Sequence, residues 1–230
     1  MNLWRKLVSQ VKASRSIAAL GFPDHSHEVL AGERPAIEWK KSLFLHTGWT
    51  AHYDGSEAPE GGHGYLRHSV GVEAENFKPI DGWCYGYAPV NRTSDGRKLS
   101  DIPKASRTLK IEKLGATAGD KEIQGIMIIW TARHPFRGPV IVGLYDDATV
   151  YRHMPGVTDE ERPFIAKARI ENCYLVPESD RTFLVTQKRK GFPGTAAAWF
   201  PGLHTYGPAK EMLTAVAEYL PTIRSLTPVS

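Results

Sequence analysis

Two β-branched runs separated by a proline-bounded turn constrain this chain more than any other feature. Gly125–Ala132 reads GIMIIWTA and Pro139–Tyr145 reads PVIVGLY. Each has the length of a strand, and His134-Pro135 and Arg137-Gly138-Pro139 interrupt the pattern between them. β-branched and aromatic residues favour a pleated backbone, so the pair reads as a hairpin. Shorter strand-like segments surround it: Ser42–Thr50, Tyr65–Glu73, Trp83–Ala88 introduced by Asp81-Gly82 and ended by Pro89, Thr108–Leu114, Thr149–Arg152, Cys173–Val176 and Thr182–Val185. Helical patterns lie toward the ends. Trp4, Leu7, Val8 and Val11 share one helical face. Asp159–Ile170 follows Thr158 as N-cap, and Ala209–Leu220 carries Met212, Leu213, Val216 and Leu220 on one stripe, with Pro221 as the expected stop. Many short strands with helices near the ends predict an α+β fold: a curved antiparallel sheet or small open β-barrel flanked by helices. The domain reading is residues 1–41 as an N-terminal amphipathic helix and linker or arm, and 42–230 as a single α+β recognition domain.

The composition excludes several classes. A hydrophobic fraction of 41% and a charged fraction of 23% are those of an ordinary globular protein, not a disordered one. No apolar run is long enough for a membrane span, so no membrane partner is expected. Two cysteines, Cys84 and Cys173, are too few for a disulfide scaffold or a four-cysteine zinc site. A reduced, cytoplasmic protein is the expectation. The first twenty residues are basic and acid-free like a transit peptide, yet they lack the apolar core of a secretory signal, and a short amphipathic helix is the simpler reading. The net charge is +4, with basic residues gathered at both ends. Arg5, Lys6, Lys12 and Arg15 open the chain, and Arg181, Lys188, Arg189, Lys190, Lys210 and Arg224 outweigh Glu211 and Glu218 near its close. That distribution suits a polyanionic partner, although a solvated surface explains it nearly as well.

Catalytic signatures are weak. His46, His52, His63 and His68 cluster before Glu73 and Glu75, but none falls in a helical His-x-x-x-His or a Cys-x-x-Cys pattern. There is no Gly-x-Ser-x-Gly elbow. Gly61-Gly62-His63-Gly64 lacks the Gly-Lys-Ser/Thr ending of a phosphate loop. We expect no catalytic residues, no metal and no cofactor. The aromatics say more. Trp49, Tyr53, Tyr65, Phe77, Trp83, Tyr85 and Tyr87 crowd one stretch, and strand alternation puts Trp83, Tyr85 and Tyr87 on one face. Such a face is commonly core. Its functional counterpart is a platform on which bases stack, with Gly82 and Gly86 leaving space beside the rings. Arg133 and Arg137 in one turn and Lys188, Arg189 and Lys190 in another would supply a phosphate-holding rim, where a basic loop is otherwise simply solvated.

The blocks His68…Glu73…Asn76-Phe77, Gly82-Trp83-Cys84-Tyr85-Gly86-Tyr87, Ile111–Ala116, Ile129–Pro135 and Val142–Arg152 resemble the amino-terminal recognition module of bacterial modification-dependent restriction proteins that end in an HNH nuclease domain. Leu175-Val176-Pro177, Arg181-Thr182-Phe183 and Ala198-Trp199-Phe200 extend the resemblance, which spans roughly residues 43–220. A second resemblance, resting on the central hairpin and an aromatic cluster, is to the PUA-like superfamily with its EVE and YTH readers. It implies a modified base held in an aromatic cage formed from Trp49, Trp83, Tyr85 and Trp130. Glu73 and Asn76 would then read the base edge, and Arg133, Arg137, Lys188, Arg189 and Lys190 would hold phosphates. The implied partner is nucleic acid, DNA more than RNA. This sequence departs from the first family in two places: Leu144 stands where tryptophan is expected, and the chain ends at Ser230 without an HNH domain, so cleavage would fall to a separate nuclease subunit, or the protein would regulate, protect or signal instead. Two other readings are carried alongside: a small hydrolase or nuclease using His63, His68 and Glu73 with Cys84, and a non-catalytic interaction subunit of a defence complex docking through the Trp4–Val11 helix.

Overall fold

The computed structural model describes residues 37–59, 72–90, 108–155, 162–185, 193, 196–204 and 207–230. All belong to one compact unit, Ile37–Ser230. The amphipathic segment Trp4–Val11 lies outside the described residues.

The long runs do form a hairpin, and they set the architecture. Strand β4 (Glu122–His134) and strand β5 (Gly138–Tyr151) pair antiparallel from His134↔Gly138 to Glu122↔Tyr151. Around them lie β1 (Ser42–Thr47), β2 (Pro79–Ile80), β3 (Trp83–Gly86), β6 (Ala166–Arg169), β7 (Cys173–Leu175) and β8 (Ala198–Trp199). The order across the sheet is β2-β3-β6-β5-β4-β1-β8, with β7 pairing β5 off this path. The fold is α+β, as expected, but the sheet is open and mixed. β1 runs parallel to β4, from Ser42↔Met127 to Thr47↔Ala132. A parallel neighbour needs a long crossover, and residues 48–121 between the two strands provide one.

Register shifts at Ile126/Ile128 and Trp130/Thr131 place extra residues in β5. At the first, Asp147 adopts φ 50, the left-handed conformation. At the second stands Gly143. A Cβ there would lie 2.3 Å from the Phe77 ring and 2.6 Å from the Tyr174 carbonyl oxygen, so only glycine fits. Such bulges bend a ribbon and increase its twist.

Both faces of the central strands are buried, which is why their sequences run apolar instead of alternating. Leu43, Leu45, Ile128, Trp130, Val140, Val142 and Tyr145 face an inner cluster closed by Trp49, Tyr53, Phe77, Ile111 and Leu114. Phe44, Ile129, Ile141 and Leu144 face helix α1 (Gly207–Arg224), which packs Ala209, Met212, Leu213, Val216, Leu220 and Ile223 against them. Each large side chain buried in this way contributes roughly 1.5–3 kcal/mol. Pro221 does not stop the helix. It sits in the last turn, where its missing N–H removes one hydrogen bond, while Ile223 remains packed and Arg224 donates from Nε and Nη2 to the Asp146 carboxylate at 2.7 and 2.8 Å.

Other local expectations change. Residues 166–169 of the expected Asp159–Ile170 helix form strand β6, with Ala166 and Ala168 inward and Lys167 and Arg169 outward. The expected strand Thr108–Leu114 ends instead in a 3₁₀ turn, Ile111–Leu114, closed by Gly115 at φ 102. Thr149–Tyr151 is the end of β5 and not a separate strand. Thr182–Val185 contributes only an isolated bridge, Leu184 to Val140. Of the expected strand Tyr65–Glu73, residues 65–71 lie outside the described residues, and Val72–Glu75 is a 3₁₀ turn. No helix among the described residues is long and apolar enough to cross a membrane.

Candidate nucleic-acid interface

The edge hairpin β2–β3 turns on Asp81-Gly82, with φ values of 50 and 79 between the paired Ile80 and Trp83. A two-residue turn with both φ positive matches strand twist and fixes register, and Asp-Gly is a preferred pair for it. Register then decides which side chains face outward. Cys84 and Gly86 point into the inner cluster, so Trp83 and Tyr85 point the other way. Trp83 pairs with Arg169, and Tyr85 pairs with Lys167, which in turn pairs with Thr149. Ala148 and Val150 face the inner cluster, so Thr149 and Tyr151 join the outward set.

The result is a half-exposed aromatic and basic surface on the part of the sheet face that α1 leaves uncovered. The Lys167 ammonium lies 4.8 Å and the Arg169 guanidinium 4.2 Å from the Trp83 ring centre. Lys167 also approaches the Tyr151 ring at 5.9 Å. Phe164 meets Tyr85 at 4.9 Å and Tyr151 at 5.4 Å, both edge-on. The cross-strand rows Trp83–Arg169 and Tyr85–Lys167–Thr149 contain no acidic side chain. These pairs stabilise the sheet edge, because cations over indole and phenol faces attract the ring quadrupole. They also set half-exposed rings and positive charge side by side on one surface. Sequence alone does not bring these residues together: Phe164, Lys167 and Arg169 fall in the expected helix 159–170, and Tyr151, although expected on a strand, is not among the expected site residues. The available signal was the period-two alternation of Ala166-Lys167-Ala168-Arg169.

The aromatic cage is not assembled from the expected residues. Trp130 is fully buried on the opposite side of the sheet, 5.4 Å from Tyr145 and 6.5 Å from Phe77. Gly86 does not leave room for a guest. A Cβ at this position would lie 2.4 Å from the Trp130 indole, so the glycine makes room for that ring. Trp49 is buried as well, edge-on to His134 at 4.7 Å and with the Arg181 guanidinium 5.1 Å from its ring centre.

Neither edge-reading residue is available. Asn76 is wholly buried, and its amide is fully engaged. Its Oδ1 accepts from the Tyr87 N–H at 2.8 Å, while its Nδ2 donates to the Tyr87 carbonyl and the Thr47 hydroxyl, both at 3.0 Å. It clamps the exit of β3. Glu73 accepts from the Gly48 N–H at 2.5 Å, and burial pushes its carboxyl pKa above the ordinary value.

The basic residues divide. Arg133 and Arg137 are exposed at the β4–β5 turn. Lys188, Arg189 and Lys190 lie outside the described residues, as do His63 and His68. Cys84 is buried beside Cys173. His46 is 3.2 Å from the Thr131 hydroxyl, and His52 lies 3.7 Å from Glu57. Among the described residues, no group of three or more His, Cys, Asp and Glu side chains is placed to hold a metal ion.

Arg181, which the sequence offers only as one of several basic residues, has a structural role instead. Its guanidinium is almost wholly buried and donates to the carbonyls of Val176, Thr50 and Ala51 at 2.8, 2.6 and 2.5 Å. It lies between Trp49 and Tyr53, joining the β1 exit to the segment after β7. Burial lowers the Arg181 pKa from its ordinary value and raises that of the Tyr53 phenol.

No protein-family model, curated protein or solved structure matches the chain.

Proposed function

We propose that this protein is a nucleic-acid-binding module that stacks unpaired or extruded bases on the outward face of β3, β6 and the end of β5. The observation that carries this reading is the half-exposed row of Trp83, Tyr85, Phe164 and Tyr151 with Lys167 and Arg169 set among the rings, side chains that a base would displace in order to stack. Stacking contributes about 1–3 kcal/mol per base and tolerates sequence variation, because every base has a π face. Lys167 and Arg169 meet the phosphates. Arg's planar fork suits a phosphate, while its present position over Trp83 keeps it extended across the face.

The resemblance to restriction-type recognition modules supports DNA as the polymer, a modified or flipped base as the feature read, and a defence system as the setting. In this scheme the base lies against an open aromatic face. Trp130, packed under Gly86, and Asn76, clamping Tyr87, support that face from within. The test is binding of single-stranded and duplex oligonucleotides, plain and cytosine-modified, over a salt series. Preference for the modified oligonucleotide supports modification reading. Equal binding of both forms restricts the function to general stacking. Absence of binding to every oligonucleotide at low salt rejects the proposal.

A further inference from the structure

We propose that the tip of the β4–β5 hairpin is a wedge that enters a nucleic-acid duplex between base pairs, an inference that rests on the nucleic-acid reading above. Phe136 stands at the tip with 93% of its surface exposed, the most exposed large apolar side chain among the described residues. The turn holds this ring out. The Phe136 N–H donates to His134 Nδ1 at 3.1 Å, and the Phe136 ring meets His134 edge-on at 6.1 Å. His134 in turn packs on buried Trp49 at 4.7 Å, and Trp49 lies beneath the Arg181 guanidinium that is anchored to three carbonyls. Gly138 at φ 100 closes the turn, and Pro135 stiffens it. The aromatic tip is therefore braced from the core outward.

Its surroundings select the occupant. Arg133 and Arg137 are exposed on either side of Phe136 in the turn sequence, and Arg133–Gly138 contains no acidic side chain. One aromatic side chain covers only about 150–250 Å². The positive charge on both sides of the ring favours a polyanion over an apolar protein groove. A wedge between stacked base pairs needs no more than one ring. Apolar side chains inserted between base steps unstack them and kink the duplex, while adjacent cations hold the phosphates on either side. The tip is also separate from the stacking face. Gly138 and Val150 lie at opposite ends of β5, up to about 40 Å apart at roughly 3.3 Å per residue, so each site can fail without the other.

The experiment uses the full chain and a duplex carrying 2-aminopurine, whose fluorescence rises when it loses its stacking neighbours. Wild type is expected to raise that fluorescence at saturation. Phe136→Ala should lose the rise while keeping its thermal midpoint and its affinity for single-stranded DNA, and Phe136→Trp should restore the rise. If wild type binds the duplex and the probe stays quenched, or if Phe136→Ala gives the wild-type signal, the wedge is rejected. If wild type binds single strands but shows no unstacking, the wedge alone fails. If it binds neither single strands nor duplex, the nucleic-acid reading fails with it.

Discussion

Arg181 offers the sharpest test of what holds this molecule together. Replacing it with methionine removes three donors of a buried cation and leaves the carbonyls of Val176, Thr50 and Ala51 without them. A buried group left without its partner costs about 1–3 kcal/mol. Ala51 is half-exposed and can recruit water, so its carbonyl contributes least. Removal of a buried cation also relieves its desolvation, and methionine retains part of the packing against Trp49 and Tyr53. The balance predicts a loss of about 3–5 kcal/mol, comparable with the breaking of a buried ion pair. For a unit of this size each kcal/mol lowers the melting temperature by about 2–4 °C, so Arg181→Met should melt roughly 6–20 °C below wild type. Arg181→Lys should recover little of this. An ammonium is a point charge and cannot reach three carbonyls that a planar fork spans. Urea unfolding followed by tryptophan fluorescence and by circular dichroism checks both variants. A lysine variant within about 1 kcal/mol of wild type would refute the argument that fork geometry, and not charge alone, joins these segments.

Gly86→Ala should destabilise by about 1–3 kcal/mol through overpacking, because its Cβ would meet the Trp130 indole at 2.4 Å; calorimetry reads the effect, and an unchanged melting temperature contradicts the close approach. Glu73 has a folded-state pKa raised by burial above its ordinary value of 4.5, so the folded form binds the proton more tightly than the unfolded form does. Its ionisation therefore opposes folding above the folded pKa, and this penalty disappears as pH falls toward 4.5. Glu73→Gln keeps an oxygen for the Gly48 N–H and removes the charge, so its stability relative to wild type should improve from pH 4 to pH 7; a difference independent of pH in urea titrations would reject that account.

Much of this architecture was legible because it rests on strong local chemistry. The β-branched runs, the Asp81-Gly82 turn and the Met212-Leu213-Val216-Leu220 stripe each specify their element directly. The failures have a common cause. Lys167 and Arg169 were hidden because a strand of four residues with alanine as its inward residue has too little apolar signal to compete with a helical reading. Pro221 was overridden by tertiary packing at Ile223 and by the Arg224–Asp146 pair. The parallel pairing of β1 with β4 depends on segments distant in sequence, which no local pattern reports. The candidate site divides along the same line. Trp83 and Tyr85 could be placed together by alternation alone. Trp130 lies on the other side of the sheet because alternation along β4 turns it inward with Ile128, and Gly86 on β3 makes room for its ring. Asn76 and Glu73 looked like base-reading groups because amides and carboxylates serve equally well to tie down a backbone, and sequence does not distinguish the two uses.

The stacking face can be tested most directly by anisotropy titration of fluorescein-labelled single-stranded DNA with wild type, Trp83→Ala and Lys167→Ala/Arg169→Ala, each over a range of salt. Loss of one stacked base at about 1–3 kcal/mol predicts an affinity for Trp83→Ala roughly 5- to 150-fold weaker, with an unchanged salt slope. Loss of two phosphate contacts should lower the slope of log affinity against log salt by about 1.4 in the double variant. Wild-type affinity and slope in both variants, with all three proteins folded, would contradict the assignment of base stacking to Trp83 and phosphate contact to Lys167 and Arg169.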